Sequence, residues 1–125
     1  MTEADVIAHW RKGAREEIQS AKLLHEGGKQ TAALFHCHLA VEKALKALYM
    51  EQQRKEAPFT HDLTQLAIQI QRPWTEDEKR MLADLTGFAV AARYDDLLWA
   101  ENEATAANVL SWIHRVDMFL PSILP

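Results

Sequence analysis

The 125 residues suffice for one domain with one hydrophobic core and fall short of two. Apolar residues make up 48% and charged residues 26%, the balance of an ordinary folded domain rather than a disordered or fibrous chain. The net charge of −4 excludes recognition of nucleic acid by bulk charge and leaves only a local basic patch for it, while the single cysteine, Cys37, excludes an internal disulfide and fits a reducing compartment.

Residues 1–5 carry no basic stretch ahead of an apolar run, so no signal peptide is read there. No apolar run reaches the roughly 18 residues of a bilayer span. A soluble cytoplasmic protein with no membrane partner is expected. Gly and Pro are few and fall between periodic segments, where they act as punctuation.

The first helix is predicted over about 3–26, where Ile7, Trp10, Ala14, Ile18, Ala21 and Leu24 recur every three or four residues. Glu16, Glu17 and Lys22 fall outside that stripe, and Trp10 reads as a core anchor. Gly27-Gly28 ends the helix. The second is predicted over about 29–54. Leu34, Cys37, Val41, Ala44, Leu45 and Leu48 form its main stripe. Ala40 and Ala47 lie on a third side, and His36 and Lys43 point away from the stripe. A helix apolar on more than one side sits centrally in a bundle.

A short third helix is expected over about 61–71, capped by Thr60 and burying Leu63, Leu66, Ala67 and Ile70. Thr75-Glu76-Asp77-Glu78 has the capping-box pattern that starts a fourth helix, ending near Ala92 with Met81, Leu82, Leu85, Phe88 and Ala89 inside. Residues 93–100 read as a polar-aromatic connection. The last helix is expected over about 102–120, with Ala106, Val109, Leu110, Trp112, Ile113, Val116 and Phe119 apolar. No segment alternates with period two, so no sheet is predicted. The expected fold is all-α: one domain over 1–125, an antiparallel up-and-down bundle of four long helices plus one short helix.

Several chemistries are excluded. The four glycines form no phosphate-cradling array. His36-Cys37-His38 cannot chelate zinc from a helix, because neighbours diverge by about 100°. His38 and Glu42, one turn apart, have no second pair to complete a di-metal cage. No serine sits in a strained turn with a base. No metal and no cofactor are called for.

What needs explaining is a row of polar groups along one edge of the second helix: His38, Glu42, Lys46 and Tyr49. Three readings of Glu42 are open. It pairs with Lys46 in solvent, it is semi-buried against a cation from another helix with Arg93 the candidate, or it belongs to a ligand site. Arg93-Tyr94-Asp95-Asp96 offers a guanidinium fork for phosphate or carboxylate and a ring for stacking, or else a loop tied down by its own charges. His61 serves either as a structural donor or in acid–base work.

These segments together resemble the HEPN domain family. The resemblance rests on Ala21-Lys22-Leu23-Leu24, on Ala40-Val41-Glu42-Lys43-Ala44-Leu45-Lys46-Ala47-Leu48, on Thr60-His61-Asp62-Leu63 and on Arg93-Tyr94-Asp95-Asp96. It spans nearly the whole chain in order. Asp95 stands where the family usually has proline, which should loosen the loop. The resemblance implies an antiparallel helical bundle like the substrate-binding domains of nucleotidyltransferases, often a homodimer, frequently paired with a small nucleotidyltransferase in a toxin–antitoxin or regulatory system. Some members are metal-independent ribonucleases with four to six residues between an Arg and a His; others bind nucleotides or proteins.

In this chain Arg54 and His61 fit that spacing, but about one such pair is expected by chance, and Lys55 follows Arg54 where the family's motif has Asn. The leading expectation is therefore a non-catalytic, dimeric binding module that engages a nucleotide or nucleic-acid phosphate or a small nucleotidyltransferase partner. Its candidate ligand-binding residues are Glu42, Lys43, His61, Arg93, Tyr94 and Asp96, with Lys43 facing away from Glu42's edge. The alternatives are a ribonuclease toxin using Arg54 and His61, and a purely structural interaction bundle, which an exposed Trp99 would favour.

Overall fold

The computed structural model describes residues 1–94 and 96–125. The expectation of a looser loop at Asp95 falls outside the described residues. The elements are α1 (Glu3–Glu26), α2 (Gln30–Gln53), α3 (Leu63–Ile68), α4 (Glu76–Arg93), α5 (Leu97–Glu103) and α6 (Ala106–Phe119). A 3-10 turn over Leu120–Ser122 follows. Among the described residues there is no strand, and no helix is long and apolar enough to cross a membrane.

Apart from α2, which starts at Lys29 with no side-chain cap, the α-helices begin at side-chain oxygens. Thr2 and Asp5 cap α1 reciprocally, and Thr75 and Glu78 do the same for α4. Thr105 caps α6. At α3 the expected cap is corrected: Asp62, not Thr60, accepts the N–H groups of Thr64 and Gln65, and α3 begins two residues later than expected. The Thr60 hydroxyl instead accepts the N–H of Asp62 and so shapes the approach. The connection expected over 93–100 is also corrected. It contains α5, capped by Asp96 through the N–H of Trp99, so the described residues form two short α-helices beside four long ones.

The long helices run antiparallel. Arg54 pairs with Glu3 and Lys43 with Glu17, which sets α2 against α1 end to start. Lys22 meets Asp117 and Arg15 donates to the Pro125 carbonyl, so the end of α6 and the turn after it run antiparallel to α1. Edge-to-face packing of Phe88 on Trp112 and a tilted Trp74–Phe119 pair lock α4 and its leading turn to α6.

Helix α2 is central and touches α1, α3, α4 and α6. Ala40 and Ala47 are buried and let neighbours approach closely, while Leu34, Cys37, Val41, Ala44 and Leu45 fill the middle. Ile7, Ala14, Ile18 and Ala21 meet them from α1, and Met81, Leu82, Leu85, Phe88 and Ala89 from α4. Trp10 is half-buried against this core. Of the apolar residues of α6, Leu110 and Ala106 lie on its exposed side.

Candidate functional site

Among the described residues, the buried imidazole and charged side chains of this core are His38, Glu42 and Lys46, and all stand on α2. Helical spacing places them one turn apart on one edge. The Glu42 carboxylate accepts from Lys46 Nζ at 3.2 Å on one oxygen and from His61 Nδ1 at 2.9 Å on the other. His38 donates its Nε2–H to the His61 carbonyl oxygen at 2.7 Å. Two side chains of α2 thus hold one residue of the loop before α3, by its ring and by its backbone. His38 is thereby committed, and its Nδ1 is buried without a partner. Burial pushes the His38 imidazole below its usual pKa; the positive charges of His61 and Arg93 add to this, and the His61 carbonyl and Glu42 oppose it.

The expected Glu42–Arg93 ion pair is not what forms. Among the described residues the groups against the Glu42 carboxylate are the Lys46 ammonium and the His61 imidazole, with His38 Nε2 farther off at 3.9 Å. The pair with Lys46 is present but buried rather than solvated. Arg93 nevertheless stands close by, because α4 ends beside the start of α2. It lines a small cavity of about 220 Å³ together with His61, Asp62 and Thr86. It also lines a wide cavity of about 600 Å³ whose other walls are Gly28, Lys29, Gln30, Thr31, Ala32, Phe35, His36 and Ala92. Among the described residues, exposed Arg93 is therefore the one common to both.

The wide cavity has its own carboxylate support. Glu17 of α1, only 13% exposed, accepts from His36 Nδ1 at 3.2 Å and from Lys43 Nζ at 3.3 Å. Gly13 makes room for this, since a Cβ there would stand 3.0 Å from Lys43 Cδ. Lys43 is thus held on α1, away from Glu42, as its helical position requires.

The remaining candidates scatter. Tyr94 is exposed at the end of α4. The Asp96 carboxylate is occupied in capping α5. Arg54 ends α2 in the left-handed region at φ 58° and pairs with Glu3 at 2.8 Å. It stands 12 residues beyond Glu42 on the helix axis, about 18 Å away at 1.5 Å per residue, so one protomer does not bring it to His61. Trp99 is half-buried against Phe88 rather than displayed.

Reading the sequence missed Lys29, Phe35, Glu17 and the outward role of His36. The available signal was that His36 and Lys43 share a face of α2 and that Glu17 lies off the α1 stripe.

The arrangement offers binding chemistry: donors without acceptor capacity at Arg93 and Lys29, imidazoles with one edge fixed, and an aromatic wall at Phe35. The bundle is similar to TT1696 from Thermus thermophilus, known from a crystal structure, with a TM-score of 0.70 and 19% identity over 94% of this chain and 98% of that one. No curated protein matches the sequence. The model of the HEPN domain matches residues 7–120. With the match running from the first turns of α1 to the end of α6, the chain belongs to the HEPN domain family.

Proposed function

We propose that this chain is a binding module of the HEPN type in which Arg93 anchors a phosphate group of a nucleotide or nucleic acid. The observation that carries the reading is the position of Arg93, exposed at the end of α4 and shared by two cavities, with Lys29 and His36 on one side and His61 on the other. A planar guanidinium suits the tetrahedral oxyanion by paired N–H donors, and the second cation, Lys29, adds charge without specific geometry. The apolar side chains Val90, Tyr94, Leu97 and Leu98, exposed around the end of α4 and on α5, support a protein partner beside this site. In this reading the partner is a second copy of the chain and a small nucleotidyltransferase, acting as a toxin–antitoxin or regulatory pair.

The ribonuclease alternative has weaker support, because Arg54 is tied to Glu3 rather than to His61. Titration calorimetry with ATP tests the main reading. Binding at micromolar to millimolar concentration, weakened at least tenfold in Arg93→Ala, is expected; an Arg93→Ala variant that binds as well as the parent removes the basis of the proposal. Removing one charged hydrogen-bonding partner typically costs 1.5–3 kcal/mol, about ten- to a hundredfold.

A further inference from the structure

We propose that His36, oriented by Glu17, makes the wide cavity selective for a ribose diol, so that its preferred occupant is a ribonucleotide; the inference rests on the anchoring role given to Arg93. The argument begins at Glu17. An ionised carboxylate only accepts hydrogen bonds, so the His36 Nδ1 that it meets at 3.2 Å carries the hydrogen. Lys43, 3.3 Å from the other oxygen, already balances the charge of Glu17, and the imidazole can donate while neutral. In the neutral ring the remaining nitrogen, Nε2, is then an acceptor with a lone pair. Nδ1 is turned to α1, and the opposite edge of the ring is the one left for the cavity that His36 lines.

A lone pair repels a phosphate oxygen and accepts a hydroxyl. Arg93 and Lys29 have the reverse character, since they donate and never accept. The cavity therefore separates two demands on its ligand: an anion at one wall, hydroxyl hydrogens at another. A sugar diol attached to a phosphate meets both, and the face of Phe35 is available to the base or sugar. The same arrangement recurs across Arg93, where Glu42 bridges His61 Nδ1 and Lys46. Carboxylate–lysine support of an imidazole is thus a repeated feature around this arginine rather than a single surface contact.

The test compares adenosine 5′-monophosphate with its 2′,3′-dideoxy counterpart by calorimetry at about pH 8, where an ordinary imidazole is neutral. The parent protein should bind the ribonucleotide about five- to tenfold more tightly, the value of one or two neutral hydrogen bonds. His36→Asn keeps an amide N–H for Glu17 but has nothing in the place of Nε2; it should bring the ratio to about one. His36→Gln, which restores an acceptor near that place, should recover part of the preference, and circular dichroism confirms that both variants keep the helical fold. Equal binding of the two nucleotides by the parent, both weakened in Arg93→Ala, overturns the role of His36 and leaves the phosphate anchor standing. A preference that survives in His36→Asn overturns it as well. Binding of neither nucleotide overturns both readings.

Discussion

Glu42 and His61 are joined by a 2.9 Å hydrogen bond between the middle of the central helix and the loop that precedes α3. The two ends of this bond live in different environments, for the carboxylate side chain is 6% exposed and the imidazole 56%. The buried end fixes the ring, and the exposed end carries it to the rim of a cavity shared with Arg93. This bond connects the packing of the core to the surface on which a ligand would act. On the other carboxylate oxygen Lys46 supplies the opposite charge at 3.2 Å, inside the bundle.

Removing Glu42 should therefore be costly. Glu42→Ala leaves Lys46, 8% exposed in its side chain, with the Trp10 ring 5.4 Å away as its main remaining partner. Breaking a buried pair from one side costs about 3–5 kcal/mol, and the aromatic face places this case near the low end, at about 3 kcal/mol. Replacing both partners, as Glu42→Leu with Lys46→Met, should recover most of that loss, since neither charge is then stranded. Urea unfolding checks both variants. A loss under about 1 kcal/mol in Glu42→Ala would mean that the pair behaves as a solvated one.

His38 gives a prediction with a sign. It is buried and its pKa is lowered by that burial, so the folded state binds a proton less readily than the unfolded chain. The contribution is whole above the unfolded value of about 6.5 and is lost progressively as pH falls from there towards the folded value. Stability measured between about pH 7 and pH 5 should fall with a slope of up to one proton from this residue. His38→Gln keeps an N–H for the His61 carbonyl but does not titrate, and it should flatten the slope over that window. An unchanged slope would assign the acid sensitivity to other groups.

Much of the fold was legible because local rules and tertiary packing agree. The spacing of Ile7, Ala14, Ile18 and Ala21 marks one face of α1, and Thr75 with Glu78 announces α4 by its own chemistry. Helix α5 was hidden because it buries no residue of its own; Leu97 and Leu98 are exposed, and the helix depends on the Asp96 cap and on Trp99 against Phe88. Thr60 and Asp62 both carry a capping oxygen, and sequence gives no way to choose between them. At the site, the row His38, Glu42, Lys46 follows from helix geometry alone. Its partner does not, because His61 arrives by a loop whose path is set by packing, and Arg93 was as good a cation on paper. The Glu17–His36 contact needs the register of α1 on α2, a relation between segments that neither stripe encodes.

Cys37 should be chemically silent in the folded protein. It is fully buried in the centre of α2, and desolvation pushes its thiol up to about 12, so almost no thiolate exists near neutral pH. An aromatic disulfide reagent at about pH 8 should react only as molecules unfold, with a rate that climbs in denaturant. Rapid stoichiometric labelling of the native protein would show that the centre of the bundle opens far more often than its packing implies.

Arg54 allows two effects to be weighed against each other at one position. Its backbone sits at φ 58°, where a residue with a Cβ is disfavoured by roughly 1 kcal/mol and glycine is not. Its side chain, 77% exposed, pairs with Glu3 at 2.8 Å, a contact worth at most about 0.5–1 kcal/mol in solvent. Arg54→Gly gives up the pair and relieves the strain, so thermal or urea unfolding should find it neutral or stabilised by a few tenths of a kcal/mol. Arg54→Ala gives up the pair and keeps the strain, and should be destabilised by about 0.5 kcal/mol. The same two variants bear on catalysis. If incubation with RNA shows cleavage by the parent that both variants abolish while they remain folded, Arg54 acts on substrate, and the case for a binding module loses to the ribonuclease.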